Sequence, residues 1–223
     1  MLTPGGGTAM IIRRYRSADL RDLYRVCLQT GNSGGDATAL YRDPDLLGHI
    51  YAAPYGMFEP ALAFVVEDEF GVGGYCLGAL DTRAFEQRLA ERWWPSLRRR
   101  YTEPDLASQG QWTPDEQAAY LIYHPWRADD ELLAGYPSHL HIDLLPRLQA
   151  QGLGRQLIGI QLTALRERGS GGVHLYVTAA NHRALGFYGR LGFDQLRADG
   201  GYLMGMKLLT PLSYRAGPSP AST

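Results

Sequence analysis

The stretch HLHIDLLPRLQAQGLG, His139–Gly154, holds a strand, a stop and a helix entrance in succession. His139–Leu145 alternates and reads as a buried strand. Pro146 ends it, because a central strand cannot run through a residue without an N–H. Gln149-Ala-Gln-Gly-Leu-Gly154 follows, and then Leu157, Ile158, Leu162 and Leu165 recur at helical spacing. Two glycines therefore sit where a loop becomes a helix N-terminus. Such a terminus presents unpaired N–H groups and the positive end of the helix dipole. Glycine permits the tight entry turn and lets a phosphate approach the backbone closely. The form is that of a pyrophosphate cradle, although one G-x-G by itself is weak evidence.

The segments downstream sharpen it. Val173–Thr178 reads as another strand. Asn181-His-Arg-Ala-Leu-Gly-Phe-Tyr188 then opens a helix that runs to Leu191-Gly-Phe193. With Gln149-x-x-Gly152-x-Gly154, Asn181 and Ala184-x-x-x-Tyr188 in this order, the chain resembles the GNAT superfamily of acetyl-CoA-dependent acetyltransferases. The likeness covers Pro137 to Leu209 well and the rest loosely. Within the superfamily, HLHIDLLP followed by the GFYGRLGF helix is most similar to the acetyltransferase-like domain at the C-terminus of O-GlcNAcase and its free-standing bacterial relatives.

The fold so implied is α/β of the α+β type, a mixed central sheet flanked by helices, with a helical insertion before the central strand. The strands around Leu140–Leu145 and Val173–Thr178 should be adjacent and parallel. The helix Gly152–Arg168 should make a right-handed crossover between them. One domain over residues 11–209 is expected, with unstructured tails at 1–10 and 210–223. MLTPGGGTAM has neither a charged start nor a long apolar run, so it does not read as a signal peptide, and Met10 is a plausible start.

The whole-chain numbers agree. A chain of 223 residues with 45% hydrophobic content can build one core. A net charge of −1 suggests neither nucleic acid nor an anionic membrane as partner. No run of apolar residues is long enough to span a bilayer. Cys27 and Cys76 fall in an apolar helix pattern and an apolar strand pattern. They read as core thiols in a reducing cytosol, and the protein is expected in the cytoplasm.

Ahead of the central strand, Ile11–Tyr15 reads as an edge strand. Ser17 reads as the cap of a helix that buries Leu20, Leu23, Tyr24 and Cys27. Gly31-Asn-Ser-Gly-Gly35 breaks that helix. It is either a plain linker or, as the resemblance implies, part of the acceptor side of a cleft. Asp45–Ala53 reads as a short helix. Ala61–Glu67 and Val72–Leu80 form a hairpin about Asp68–Gly71. The long insertion, residues 82–136, carries one helical pattern over Phe85–Tyr101. A second helix starts at Thr113-Pro-Asp-Glu116, which has the form of a capping box. Trp93, Trp94, Trp112 and Trp126 lie in the insertion. Two readings stand for them: a small core of their own, or the wall of an acceptor pocket.

Acetyl transfer needs a held cofactor, an exposed thioester, a proton acceptor for the amine and a proton donor for the thiolate. The resemblance places acetyl-CoA on the backbone of Ile142, Asp143 and Leu144. The family's central strand bulges and splays there and pairs with pantetheine. It places the pyrophosphate on Gln149, Ala150, Gln151, Gly152, Leu153, Gly154 and Arg155. Arg155 either faces the phosphates or lies on a solvated helix face. Asn181 caps its helix, bonds the pantetheine, or does both. Tyr188 is the candidate acid. The base is less legible. The family position falls near Ser138, which is not a base, and His139, His141 and Asp143 share the other parity. A bulge would shift parity and admit Asp143; otherwise Asp143 is a sheet carboxylate. His174, Tyr176 or a water chain are further choices. No metal is expected. The activity implied is direct transfer of acetyl to an amine, on a small molecule or a protein, by a monomer or homodimer. The alternative is an acetyl-CoA-binding module with little or no catalytic activity.

Overall fold

In the computed structural model, which describes residues 10–208, the alternating segments pair into one seven-stranded mixed sheet of order β1-β2-β3-β4-β5-β7-β6. β1 (Ile11–Arg14), β2 (Ala63–Asp68), β3 (Gly71–Ala79) and β4 (Ser138–Leu144) pair antiparallel in succession. β5 (Gly172–Thr178) lies parallel to β4, as expected, and the C-terminal hairpin β6 (Asp194–Ala198) and β7 (Gly201–Lys207) completes the sheet. Residues 1–9 and 209–223, on which the expected tails and the last residue of the expected domain fall, lie outside the described residues.

Alternation along β3 and β4 sends side chains to two separate cores. Tyr75 and Leu77 join α1 (Leu20–Thr30), α2 (Leu46–Tyr51), α3 (Ala53–Phe58) and the insertion on one face. Cys76 and Leu140 join α8 (Leu153–Glu167) and α9 (His182–Leu191) on the other. Cys27 and Cys76 are both buried free thiols, and they belong to cores on opposite faces.

The insertion contains α4 (Thr82–Arg92), α5 (Trp94–Arg98), α6 (Pro114–Tyr123) and α7 (Asp130–Gly135). The expected Phe85–Tyr101 helix is broken at Trp93, because Pro95 cannot donate to the turn before it. The capping box at Thr113 forms as expected: Thr113 Oγ1 accepts from the Glu116 N–H, and Glu116 accepts from the Thr113 N–H at 2.7 Å. The expected Asp45–Ala53 helix is two short ones, separated at Ala52 just ahead of Pro54. Ser17 is not a helix cap. It starts a 3-10 turn, Ser17–Asp19, organised by the buried Asp19 carboxylate. That carboxylate accepts from both terminal nitrogens of Arg13 at 2.7 and 2.8 Å and from the Arg16 N–H at 2.7 Å.

Candidate functional site

β4 and β5 pair only at Ser138↔Val173 and His139↔His174, and then part. From Leu140 onward the β5-facing edge of β4 is free. Here the expectation of a splayed central strand holds. The expectation of a bulge in β4 does not. β4 keeps unbroken register with β3 from Gly74↔Leu144 to Ala79↔His139, and the register shift in this half of the sheet lies in β2 at Val66/Glu67. The parity of β4 is therefore constant. Leu140, Ile142 and Leu144 pack toward α8 and α9, and His139, His141 and Asp143 face α1 to α4.

Leu145 turns into a 3-10 segment, Pro146–Leu148, that leads to the glycine loop. Ala150 at φ 60° and Gly152 at φ 79° are both left-handed, so the backbone curls into α8. Side chains brace the curl. Gln149 Nε2 donates to the Leu144 carbonyl at 2.7 Å, and its Oε1 accepts from Arg183 at 2.7 Å. Gln151 Nε2 donates to the Arg147 carbonyl at 2.7 Å, and Arg147 is held by Asp68 at 2.7 Å. Gly152 occupies the cap position of α8 without a capping side chain, so the first N–H groups of the helix are left for a ligand or solvent. Arg155 is exposed in that first turn.

The two glycines do different work. A Cβ on Gly152 would meet nothing nearer than Gln156 Nε2 at 4.0 Å, so the constraint there is the positive φ. A Cβ on Gly154 would lie 3.2 Å from Phe187 Cζ and 3.5 Å from Leu144 Cδ1. Gly154 thus lets α8 pack closely on α9 and β4.

At the start of α9, Asn181 Oδ1 accepts from the Ala184 N–H at 3.1 Å, so Asn181 caps the helix. Two turns further along, Tyr188 is 7% exposed, between Phe187 and Phe193 with ring centroids 5.3 and 5.5 Å away. Its hydroxyl makes no hydrogen bond to the described residues. Burial pushes its pKa well above the ordinary tyrosine value, so it remains a proton donor.

Asp143 lies on the opposite side of the sheet. Its Oδ2 accepts from Tyr75 Oη at 2.7 Å and lies 3.0 Å from His141 Nε2. Tyr75 is fully buried, and burial and the Asp143 charge raise its pKa well above the usual value. It is therefore a permanent donor that fixes the carboxylate's orientation. No local pattern pointed to Tyr75, because only the register Tyr75↔Asp143 brings it there. His139, another candidate base, is bound at both nitrogens. Nδ1 is 2.8 Å from Thr82 Oγ1 and Nε2 is 2.8 Å from Tyr55 Oη. Burial lowers its pKa to about 3. His174 Nδ1 lies 2.8 Å from the Tyr136 carbonyl, and burial lowers its pKa as well. Ser138 is buried and bonded to Ser170 Oγ at 2.7 Å, and Tyr176 is exposed on β5.

Residues of β4, β5, α9, α1 to α3 and the insertion line one cavity of about 840 Å³, which reaches from Asn181, Ala184 and Tyr188, past Ile142 and Asp143, to Trp94 and Gln117 of the insertion. The loop Gly31–Gly35 contributes Gly31, Ser33 and Gly34, so it is a wall of this cavity as well as a linker. The insertion's aromatics divide between packing and the cavity. Trp94 sits in the core beside Tyr75 and Leu77 and also lines the cavity, while Trp126 lines it and is exposed. Among the described residues no cluster of three or more His, Cys, Asp or Glu is placed to hold a metal ion, and no helix is long and apolar enough to cross a membrane.

A splayed parallel pair, a glycine-rich helix entrance, and a buried tyrosine and a carboxylate that line one cavity are the features of a class of acyl-transfer protein. The sequence profile of the Acetyltransferase (GNAT) family matches residues 83–193. The crystal structure of SsHAT superposes with a TM-score of 0.83 at 38% identity, covering 90% of this chain and 99% of that one. The chain belongs to the GNAT acetyltransferase family. It is 26% identical to rat Protein O-GlcNAcase over 192 residues, 85% of this chain, and spans only 20% of that protein's length. It is 37% identical to Mycothiol acetyltransferase of Rhodococcus erythropolis over 101 residues, 45% of this chain and 30% of that protein. The structure of yncA from Salmonella typhimurium with acetyl-CoA shares the fold, with a TM-score of 0.53 at 15% identity over 96% of this chain and 99% of that one.

Proposed function

We propose that the chain transfers an acetyl group from acetyl-CoA directly to an amine. The observation that carries this reading is the single cavity in which the Tyr188 hydroxyl and the Asp143 carboxylate flank the open edge of β4. The free backbone edge of Ile142, Asp143 and Leu144 would hold the pantetheine, and the N–H groups of the loop Gln149–Gly154 and of Arg155, with the Arg155 guanidinium, would hold the pyrophosphate. The amine lone pair attacks the thioester carbonyl, so a C–N bond forms and the C–S bond breaks. Asp143 takes the proton that the amine loses. Tyr188 gives a proton to the departing thiolate and regains one through solvent. Asp143 has the constant parity of β4 in its favour, since it faces the cavity without any bulge. We read residues 11–209 as one domain, and the two free thiols suit a reducing compartment such as the cytoplasm.

The test is release of CoA thiol on mixing the protein with acetyl-CoA and a panel of amines. Asp143→Asn keeps the shape and one oxygen acceptor but removes the base. It should lower kcat about 100-fold or more with little change in acetyl-CoA affinity. Binding of acetyl-CoA with no transfer to any amine would favour the alternative, a binding module.

A further inference from the structure

The acceptor end of the cavity restricts which amine can enter. Its inner wall is apolar and aromatic, with Leu47, Ile50, Phe85, Leu89, Trp94 and Leu121 facing the space. Of the polar groups beside them, His139, Glu86 and Gln117 are bonded to protein, while the Tyr41 and Tyr51 hydroxyls have no partner among the described residues. His139 is held by Thr82 and Tyr55, and stays neutral with a pKa of about 3. Glu86 accepts from the Ala128 N–H at 2.8 Å and from Arg83 at 2.9 Å. The Gln117 amide donates to the Trp112 carbonyl at 3.3 Å. Asp143 differs. Tyr75 and His141 meet its Oδ2, and Oδ1 takes no hydrogen bond from the described residues. Arg127, exposed, is the one Lys or Arg among the described residues that line the cavity.

The inner wall therefore offers the free Oδ1 of Asp143, the hydroxyls of Tyr41 and Tyr51, and many ring and aliphatic faces, fewer partners than a polyol or a peptide backbone needs. A hydroxyl-rich amino sugar or a peptide backbone would bring several polar groups into it. Each one buried without a partner weakens binding about 10- to 100-fold. A single amine on an apolar body loses nothing there and gains contact area. Three rings that line the cavity remain open to solvent, Tyr51 at 40%, Trp126 at 61% and Tyr176 at 57% exposed. Exposed rings on a cavity wall stack with a flat apolar ligand.

We propose that the acceptor is an arylalkylamine, a primary amine on a short chain ending in an aromatic ring. Its nitrogen meets Asp143, and its ring lies on the wall of Phe85, Leu89 and Trp94. This rests on the acetyl-transfer reading and narrows it to one substrate class. Atoms balance as before: acetyl passes to the nitrogen, and the amine's proton is matched by the one the thiolate takes up.

The experiment measures kcat/KM with the full chain and acetyl-CoA for 2-phenylethylamine, tryptamine, glucosamine, spermidine and a short lysine-rich peptide. The arylalkylamines should exceed each of the others at least about 10-fold. Leu121→Trp fills the apolar end and should raise KM for tryptamine about 10-fold while acetyl-CoA binding is unchanged. Tyr51→Ala removes a largely exposed ring and should raise the same KM, so the wall is still tested if the first variant does not fold. Glucosamine, spermidine or the peptide as the best acceptor would overturn the arylalkylamine assignment and leave acetyl transfer standing. No transfer to any member, with acetyl-CoA bound, would overturn both.

Discussion

Replacing Tyr188 with Phe isolates one hydroxyl. The ring would keep its contacts with Phe187 and Phe193. The hydroxyl has no hydrogen-bond partner among the described residues, so its loss orphans no protein group. Stability should change by less than about 1 kcal/mol. The same hydroxyl is a donor whose pKa burial holds well above the ordinary value, so it is protonated throughout the neutral range. If it protonates the thiolate, its removal should lower kcat about 100- to 10,000-fold, or roughly 3–5 kcal/mol of barrier. Acetyl-CoA affinity should move by no more than a few fold. The assay is steady-state release of CoA thiol, with calorimetric binding of acetyl-CoA and a thermal melt on the same preparation. Unchanged kcat with a good acceptor would refute the acid assignment, because the thiolate would then leave unassisted. A large fall in melting temperature would instead mean that the hydroxyl serves the core.

The two loop glycines should separate in their effects. Gly152→Asp forces a side chain onto a left-handed residue and sets a negative charge at the helix entrance, so acetyl-CoA binding by calorimetry should be lost. Gly154→Leu drives its side chain into Phe187 and Leu144, so a thermal melt should show destabilisation of about 1–3 kcal/mol. His139 predicts a pH effect on stability. Its folded pKa of about 3 lies below the unfolded value of 6.5, so the unfolded chain binds a proton that the folded one refuses. The contribution is complete above pH 6.5 and is lost as pH falls toward 3, by about 1.4 kcal/mol per pH unit. Urea melts across that window should show a shallower slope for His139→Gln, and an identical slope would contradict the neutral burial of His139.

Local patterns carried much of this protein. A proline after an alternating run, glycines at a helix entrance, an asparagine ahead of a helix and a capping box at Thr113 each act within a few residues, so their physics is written in the chain. That is why β4, α8, β5, α9 and the start of α6 were legible. The α4/α5 break was also local, since Pro95 marks it, but the four-residue spacing of Leu89, Trp93 and Leu97 masked it. The hairpin strand β6 was not legible. Its residues are mostly exposed, and its alternation has meaning only once β7 lies beside it. Register is the larger gap. Whether Asp143 faces the cavity depends on the unbroken pairing of β4 with β3, and that pairing also sets Tyr75 opposite Asp143. A one-residue slip would send both side chains to other neighbours, and nothing local to either strand forbids it. The cavity wall is further from the sequence still, because it joins residues of α1, α2, the insertion and β5 that meet only when both cores close around the sheet. Short-range hydrogen bonding and backbone freedom determine the elements and the glycine loop, and long-range packing determines the carboxylate's surroundings and the shape of the space beside it.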